Sequence, residues 1–469
     1  MTEPLWTSEE IASATGGVMA GEPFAATGVS IDTRSLEPGD LFVALTGVRD
    51  GHDFIDQALA KGAAGVLASR PGAGSRIGVG DTLVALEALG VAARRRAVNA
   101  RRGAITGSVG KTSITQVLAA GLALAGASHA SVKSYNNHIG VPLTLARLPR
   151  AARRAVFEVG MNHAGEIAPL SRMIAPHAVA ITTVGPVHIE NFPDGERGVA
   201  LAKAEIFAGL QRGGVAVLGA DNAWFELLRA GAEAVGARVL SFGSSEACDA
   251  RLIAVEPTAA GAVVSARLHG RDLRFPIRQS GQHWGANSLA ALLMLEALEV
   301  DLDTGLAALA AFAPLAGRGA VRHLAIPGGA FTLIDESYNA NPISMAAAIA
   351  SLGARHDATR RIVILTDMLE LGPESLRYHA QLAAPIAAAG VDLVFCAGDL
   401  MGALWDALPQ AQRGAHAATA SELAGPIAEA VRPGDVVMVK GSNGSKAGLI
   451  VAELTALFDS NPAGEGAAH

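Results

Sequence analysis

Thr106-Gly107-Ser108-Val109-Gly110-Lys111-Thr112-Ser113 is the stretch on which the reading of this chain turns. Ahead of it, Gly103-Ala104-Ile105 reads as the end of a short buried strand; behind it, Ile114 to Leu124 reads as an apolar helix. A glycine-rich turn between strand and helix aims successive backbone N–H groups at one point, beside the positive end of the helix dipole. Lys111 adds a mobile cation for β- and γ-phosphates, and Thr112 offers a hydroxyl to Mg²⁺. Gly107, Ser108, Val109, Gly110 and Ser113 complete the cradle, so the loop is expected to bind a nucleoside triphosphate. It is shorter than the usual G-x-x-x-x-G-K-[ST], because Gly107 and Gly110 enclose only two residues.

The rest of the chain sets the frame around that loop. Its 469 residues exceed what one core can organise, and at roughly 150 residues per domain about three are expected. Half the residues are hydrophobic but only 4% are aromatic, so the cores must be built from Ala, Val, Leu and Ile. A net charge of −7 argues against a nucleic-acid partner, which would call for a basic stripe. Cys248 and Cys396 are the only cysteines and lie far apart, which excludes a disulfide framework or a cysteine metal site. Both are expected to be buried as small apolar residues. The longest uncharged apolar runs, Val117–Ala127 and Gly305–Gly317, fall short of the ~20 residues of a membrane span and read as core helices. Met1-Thr2-Glu3-Pro4 lacks a secretory pattern, and a cytoplasmic location is expected. Thr7-Ser8-Glu9-Glu10 has the spacing of a helix capping box.

These patterns predict an α/β protein of three domains. Residues 1–84 read as a small N-terminal α/β unit with turns such as Glu37-Pro38-Gly39-Asp40. Residues 85–314 read as a central P-loop-type unit, a mostly parallel sheet with helices on both faces. Its buried strands are expected at Ala155–Glu158, Ala178–Val184 and Gly214–Leu218, followed by an antiparallel ribbon from about 239 to 280. Residues 315–460 read as a C-terminal Rossmann-like unit with strands at Phe331–Ile334, Arg361–Leu365, Leu393–Cys396 and Asp435–Val439. The tail 461–469 is expected to be disordered.

A triphosphate site also needs carboxylate for Mg²⁺. Glu158 ends the run Val156-Phe157-Glu158-Val159-Gly160-Met161, and strand C-terminal ends converge on the ligand crevice of an open parallel sheet. It is therefore a candidate metal ligand, with a helix cap as the alternative. His188 follows the next strand; on its chemistry alone a structural histidine is the stronger reading, because Mg²⁺ prefers oxygen. Lys203 alone reads as an ordinary exposed lysine on a helix.

Taken together with Tyr135-Asn136-Asn137-His138-Ile139-Gly140-Val141-Pro142, these residues resemble the Mur ligase family, ATP-dependent amide-bond-forming enzymes of peptidoglycan precursor synthesis. The short phosphate loop is that family's own form. The blocks Asp335-Glu336-Ser337-Tyr338-Asn339-Ala340-Asn341-Pro342, Asp367-Met368-Leu369-Glu370-Leu371-Gly372 and Asp50-Gly51-His52-Asp53-Phe54 narrow the resemblance to the branch that joins D-Ala-D-Ala to UDP-MurNAc-tripeptide. The resemblance implies ATP and two Mg²⁺, with Lys111, Lys203 and His188 as the catalytic set. It assigns Thr112 and Glu158 to one metal, and His188 with a carbamylated Lys203 to the second. It places His283 and Asn287 at the adenine, Asp335 or its neighbour Glu336 at the ribose, and Arg318 on ATP at the hinge into the last domain. For these last residues helix capping or surface solvation stays open. It further implies that the first domain takes the UDP end, the middle one ATP, and the last the dipeptide and part of ATP; no long apolar patch or heptad suggests an obligate oligomer, and a monomer is expected. One departure is Val439-Lys440-Gly441-Ser442-Asn443, where that branch has arginine at the last position. The preceding ligase of the series fits less well, since no Asp-Asn-Pro-Arg segment is present. A P-loop switch without ligase activity is the reading from another class.

Overall fold

The computed structural model describes residues 4–132, 134–258, 260–279 and 281–459. The tail at 461–469 lies outside them. The chain opens with the expected capping box: Thr7 Oγ1 accepts from Glu10 N, and the Glu10 carboxylate accepts from Thr7 N, fixing the start of helix Ser8–Thr15. A five-stranded sheet follows in the order Val18–Ala20, Arg76–Gly78, Gly65–Ala68, Asp40–Val43, Gly28–Ser30, antiparallel only at its first pair.

The central sheet has nine strands, in the order Arg271–Ile277, Gly261–Leu268, Ala250–Thr258, Arg238–Gly243, Val215–Gly219, Ala178–Ile181, Arg101–Thr106, Arg154–Glu158, Ser128–Ala130. From Ala250 to Ser128 every adjacent pair is parallel. The chain leaves Arg101–Thr106 toward one edge, returns beside it, then crosses to the other side at Ala178–Ile181. That reversal opens a crevice at the C-terminal ends of the three middle strands. Successive residues face opposite cores, as burial on both faces demands: Ala104 joins the cluster containing Phe157 and Val179, while Ile105 joins the one containing Leu118 and Leu293.

The third sheet runs Ala320–Ile326, Gly329–Glu336, Asp435–Lys440, Arg360–Thr366, Leu393–Ala397, Arg413–Ala417, parallel except at the first pair. Separate apolar clusters cover its two faces. The chain reaches it through Phe312–Gly319, where Gly317 N donates to Asp335 Oδ2 (2.8 Å), Gly319 N to Asp335 O (2.8 Å) and Tyr338 N to Gly317 O (3.1 Å).

Several expectations change. The ribbon begins at Ala250, because Arg238–Gly243 pairs in parallel with Val215–Gly219; a short strand carries no sign of its partner's direction. Helix Leu302–Ala311 stops well short of Gly317, with Phe312 already extended two residues before Pro314. Strands Ala320–Ile326 and Arg413–Ala417 went unread, being edge strands with mostly polar or exposed residues. Cys396 is buried as expected, but Cys248 is only partly so. No helix among the described residues is long and apolar enough to cross a membrane.

The N-terminal sheet and the central sheet share one apolar cluster, which runs from Trp6 and Leu86 to Phe157 and Leu218. Trp6 is the fastener: its ring is 2% exposed, its Nε1 donates to Ala146 O (2.8 Å), and the Arg96 guanidinium lies 3.6 Å from the ring centroid. Trp6→Ala is expected to cost about 3–5 kcal/mol, within the range for truncating buried aromatics. Urea unfolding followed by fluorescence and circular dichroism should show the N-terminal unit melting ahead of the rest.

Candidate active site

The phosphate loop spans the end of strand Arg101–Thr106 and the start of helix Lys111–Leu124, with left-handed Gly110 (φ 88) as the helix N-cap. Gly107 (φ 147) takes a conformation closed to other residues, and a Cβ there would sit 1.8 Å from Thr182 Oγ1. The loop is tied down by the end of the neighbouring strand. Ser108 N donates to Thr183 O (2.8 Å), Ser108 Oγ donates to Gly185 O (3.1 Å) and accepts from Gly185 N (3.0 Å), and the Thr182 hydroxyl donates to Val109 O. Asn222 braces that strand end in turn, donating to Val184 O (2.8 Å) and Thr183 Oγ1 (3.1 Å).

Around the loop lies an excess of positive charge. Lys111 Nζ folds back onto Gly107 O (2.6 Å). Its pKa is lowered by burial, with Glu158 opposing the shift and Arg318 reinforcing it. Lys203, in helix Glu196–Ala204, is 2% exposed, so the reading of an exposed lysine is corrected. Sequence around Lys203 shows a helix but not which of its faces is covered. Burial, then repulsion by Lys111, depresses its pKa far below the ordinary lysine value. His188 (φ 50) pairs through Nδ1 with the Glu370 carboxylate of the third domain, and burial outweighs that partner to lower its pKa.

Glu158 is the carboxylate that opposes the burial shift of Lys111. It is 1% exposed; Oε1 accepts from Asn136 Nδ2 (2.7 Å), and Oε2 is buried with no hydrogen-bond partner. A buried, unsatisfied carboxylate oxygen fits a divalent cation, since leaving it unpaired is costly. Among the described residues no three His, Cys, Asp or Glu side chains converge, so a cation here depends also on hydroxyl and ligand oxygens.

A cleft of about 290 Å³ runs from the loop toward the third domain, lined by Ser108, Val109, Gly110, Ser113, His283, Asn287 and Arg318 among others. That size lies near the lower end for small-molecule sites. His283 and Asn287 project into it from helix Gln282–Ala297, and His283 Nδ1 is buried without a partner. Asp335 is not in the cleft: Oδ1 accepts from Ser337 N (3.1 Å) and Ser337 Oγ (2.6 Å), and Oδ2 accepts from the hinge at Gly317. Strand alternation sends Glu336 to the cleft instead, where Lys440 Nζ lies 3.5 Å from its Oε2.

Family models described as Mur ligase middle domain, Mur ligase glutamate ligase domain, and Mur ligase family catalytic domain match residues 105–295, 319–443 and 25–100. A UDP-N-acetylmuramoyl-tripeptide–D-alanyl-D-alanine ligase of Escherichia coli K12 is 36% identical over 398 residues, 84% of this chain and 86% of that one. The same-named protein of Bacillus subtilis is 32% identical over 463 residues, covering 96% and 98%. This chain belongs to the Mur ligase family. The crystal structure of MurF from Acinetobacter baumannii superposes on this Mur ligase with a TM-score of 0.84 at 27% identity, covering 97% and 99% of the two chains.

Sequence reasoning missed several residues of this Mur ligase cleft. Lys440 carried a signal, as a charged residue ending a buried strand, and Asn222 carried one as a polar residue just past strand Val215–Gly219; Glu336 already stood as the alternative to Asp335. Tyr338 and Glu370 stand in blocks that carry the resemblance but with no role attached, and Ser134 carried no signal, because the place of all three depends on how two domains meet.

Gly107→Ala is expected to break the loop by forcing Thr182 away and straining φ. ADP binding measured by calorimetry should weaken more than tenfold while the melting temperature falls by only a few degrees, about 1–3 kcal/mol of local strain being involved.

Proposed function

We propose that this chain catalyses ATP-dependent amide formation between UDP-MurNAc-tripeptide and D-Ala-D-Ala, giving the UDP-MurNAc-pentapeptide. Two observations support it together: the relatives above carry this activity in their names, and cationic groups surround a phosphate loop at the crevice of the sheet.

A carboxylate is a poor electrophile. An oxygen of the tripeptide's terminal carboxylate attacks the γ-phosphorus of ATP; the β–γ bond breaks, ADP departs, and an acyl phosphate forms. The amine of the dipeptide then attacks the acyl carbon, and phosphate leaves with the amide formed and a proton released. Both reactants of the first step are anions, so the barrier is chiefly electrostatic. Lys111 neutralises the transferring phosphoryl group, and the N-terminus of helix Lys111–Leu124 holds its neighbours. Thr112 and Glu158 would hold Mg²⁺, which when bound supplies charge neutralisation and fixes the phosphate oxygens. His283 and Asn287 take the base. Glu336 takes the ribose in place of Asp335, which serves the hinge. Arg318 reaches the phosphates from the third domain.

Lys203 is buried within electrostatic reach of Lys111, and burial and that repulsion both disfavour its ammonium form. Its depressed pKa favours the neutral amine, the form that adds CO₂. The resulting carbamate would turn a repelling cation into a ligand for a second Mg²⁺ with His188. In this reading residues 1–84 take the UDP end, 85–314 ATP and 315–460 the dipeptide, and the chain works as a cytoplasmic monomer.

Phosphate release should require ATP, Mg²⁺, UDP-MurNAc-tripeptide and D-Ala-D-Ala together, with the product heavier by the dipeptide. Release with a free diamino acid on a dipeptide precursor instead would assign the preceding step of the series. Incubation with ¹³C-bicarbonate should give a carbamate carbon resonance in the wild-type protein that Lys203→Ala lacks. Its absence from wild type would refute the modification.

A further inference from the structure

Tyr338 joins three parts of the molecule that must move together. Its backbone N–H donates to Gly317 O (3.1 Å) in the hinge, and a Cβ at Gly317 would stand 2.9 Å from Tyr338 Cβ, so the two are in close contact. Its ring carries the Arg318 guanidinium, 4.1 Å from the centroid. Its hydroxyl crosses to the central domain and donates to Ser134 Oγ (3.0 Å). Ser134 in turn lies 3.2 Å from the Thr112 hydroxyl, and Arg318 Nη2 donates to that same Thr112 oxygen (3.1 Å). The result is a closed ring of Tyr338, Arg318, Thr112 and Ser134 built across the domain boundary.

The ring has a chemical consequence. A hydroxyl has one proton and two lone pairs. The Thr112 oxygen accepts from Arg318 and bonds to Ser134, so a divalent cation approaching that oxygen competes with the guanidinium for a lone pair. Arg318 must then give up Thr112. An arginine freed from its partner gains much side-chain entropy unless something else holds it. Stacking on an aromatic face does so without consuming the N–H donors, which stay available to an anion.

We propose that Tyr338 is a positioning residue for phosphate binding. Its ring keeps Arg318 over the phosphate loop while that arginine exchanges the Thr112 hydroxyl for a phosphate oxygen, and its hydroxyl bond to Ser134 keeps the third domain docked during the exchange. This rests on the nucleotide site of the proposed function, whose assigned residues include Arg318 and Thr112 but neither Tyr338 nor Ser134.

Tyr338→Phe keeps the ring and deletes the hydroxyl; Ser134→Ala deletes the other half of the same bond from the other domain. Each should weaken MgADP binding by calorimetry, and raise KM for ATP, about fivefold, the scale of one hydrogen bond. The double variant should be no worse than Ser134→Ala alone, which loses the shared bond together with the contact to Thr112. kcat at saturating ATP should stay within about twofold, a split that general destabilisation would not produce. Tyr338→Leu, which also removes the ring, should lose about tenfold more and make a further Arg318→Ala change nearly silent. Small-angle scattering of the nucleotide-free protein should show a larger radius of gyration for both single variants than for wild type. Additive losses in the double variant, or wild-type MgADP affinity in both singles, would overturn the proposal while leaving the nucleotide site intact. Failure of the wild-type protein to bind MgADP would overturn the nucleotide reading and this inference with it. Ser134→Ala removes only one oxygen from the partly buried turn, so the cycle survives even if a tyrosine variant folds poorly.

Discussion

Positive charge held out of water at the crevice of the central sheet is the constraint to which the rest of the structure answers. Lys203, His188 and Arg318 all lie within electrostatic reach of Lys111, whose opposing charge is Glu158, and burial pushes Lys111, Lys203 and His188 toward their neutral forms. Such an arrangement stores unfavourable energy in the empty protein and releases it when anions enter, because charges in a low-dielectric site interact far more strongly than in water. A triphosphate and a substrate carboxylate repel each other in solution. Here each is offered a place where it is needed, and the repulsion between them is opposed by groups fixed in advance.

Fixing those groups is the work of the sheet and its neighbours. The phosphate loop joins strand Arg101–Thr106 to helix Lys111–Leu124, and Ser108 and Val109 are tied to Thr182, Thr183 and Gly185 on the next strand's exit. That leaves the loop's other N–H groups free for a ligand. Lys203 is buried because its helix packs on the face shared with the N-terminal unit, so the cluster anchored by Trp6 also holds the charge environment of the site.

Legibility in the sequence followed the range of the interaction. The phosphate loop, the Thr7 capping box and the middle strands were readable because each is decided within a few residues by glycine conformation, capping chemistry or an apolar run. The burial of Lys203 was not, since a lysine in an alanine-rich helix looks the same on either face. Asp335 and Glu336 show the limit sharply: adjacent acids end one strand, and a one-residue difference in phase sends one to the hinge and the other to the cleft. Arg238–Gly243 was recognisable as a strand but not as a parallel one, because direction is set by the partner. Ser134, Tyr338 and Glu370 act only where one domain touches another, which no local pattern records.

The domain boundary therefore carries information that neither domain holds alone. Glu370 meets His188, Tyr338 meets Ser134, and Arg318 meets Thr112, so the third domain touches the two expected metal positions and the loop that separates them. Gly185 belongs to the same surface: a Cβ there would fall 1.9 Å from Ile343 Cδ1, so the strand exit that braces the phosphate loop is also the floor on which the third domain rests. A shift of that domain must disturb the brace, the arginine and the histidine at once. Any movement of that domain is therefore coupled to what the crevice holds. An anion that draws Arg318 inward favours the docked state by as much as it binds that state better than the open one.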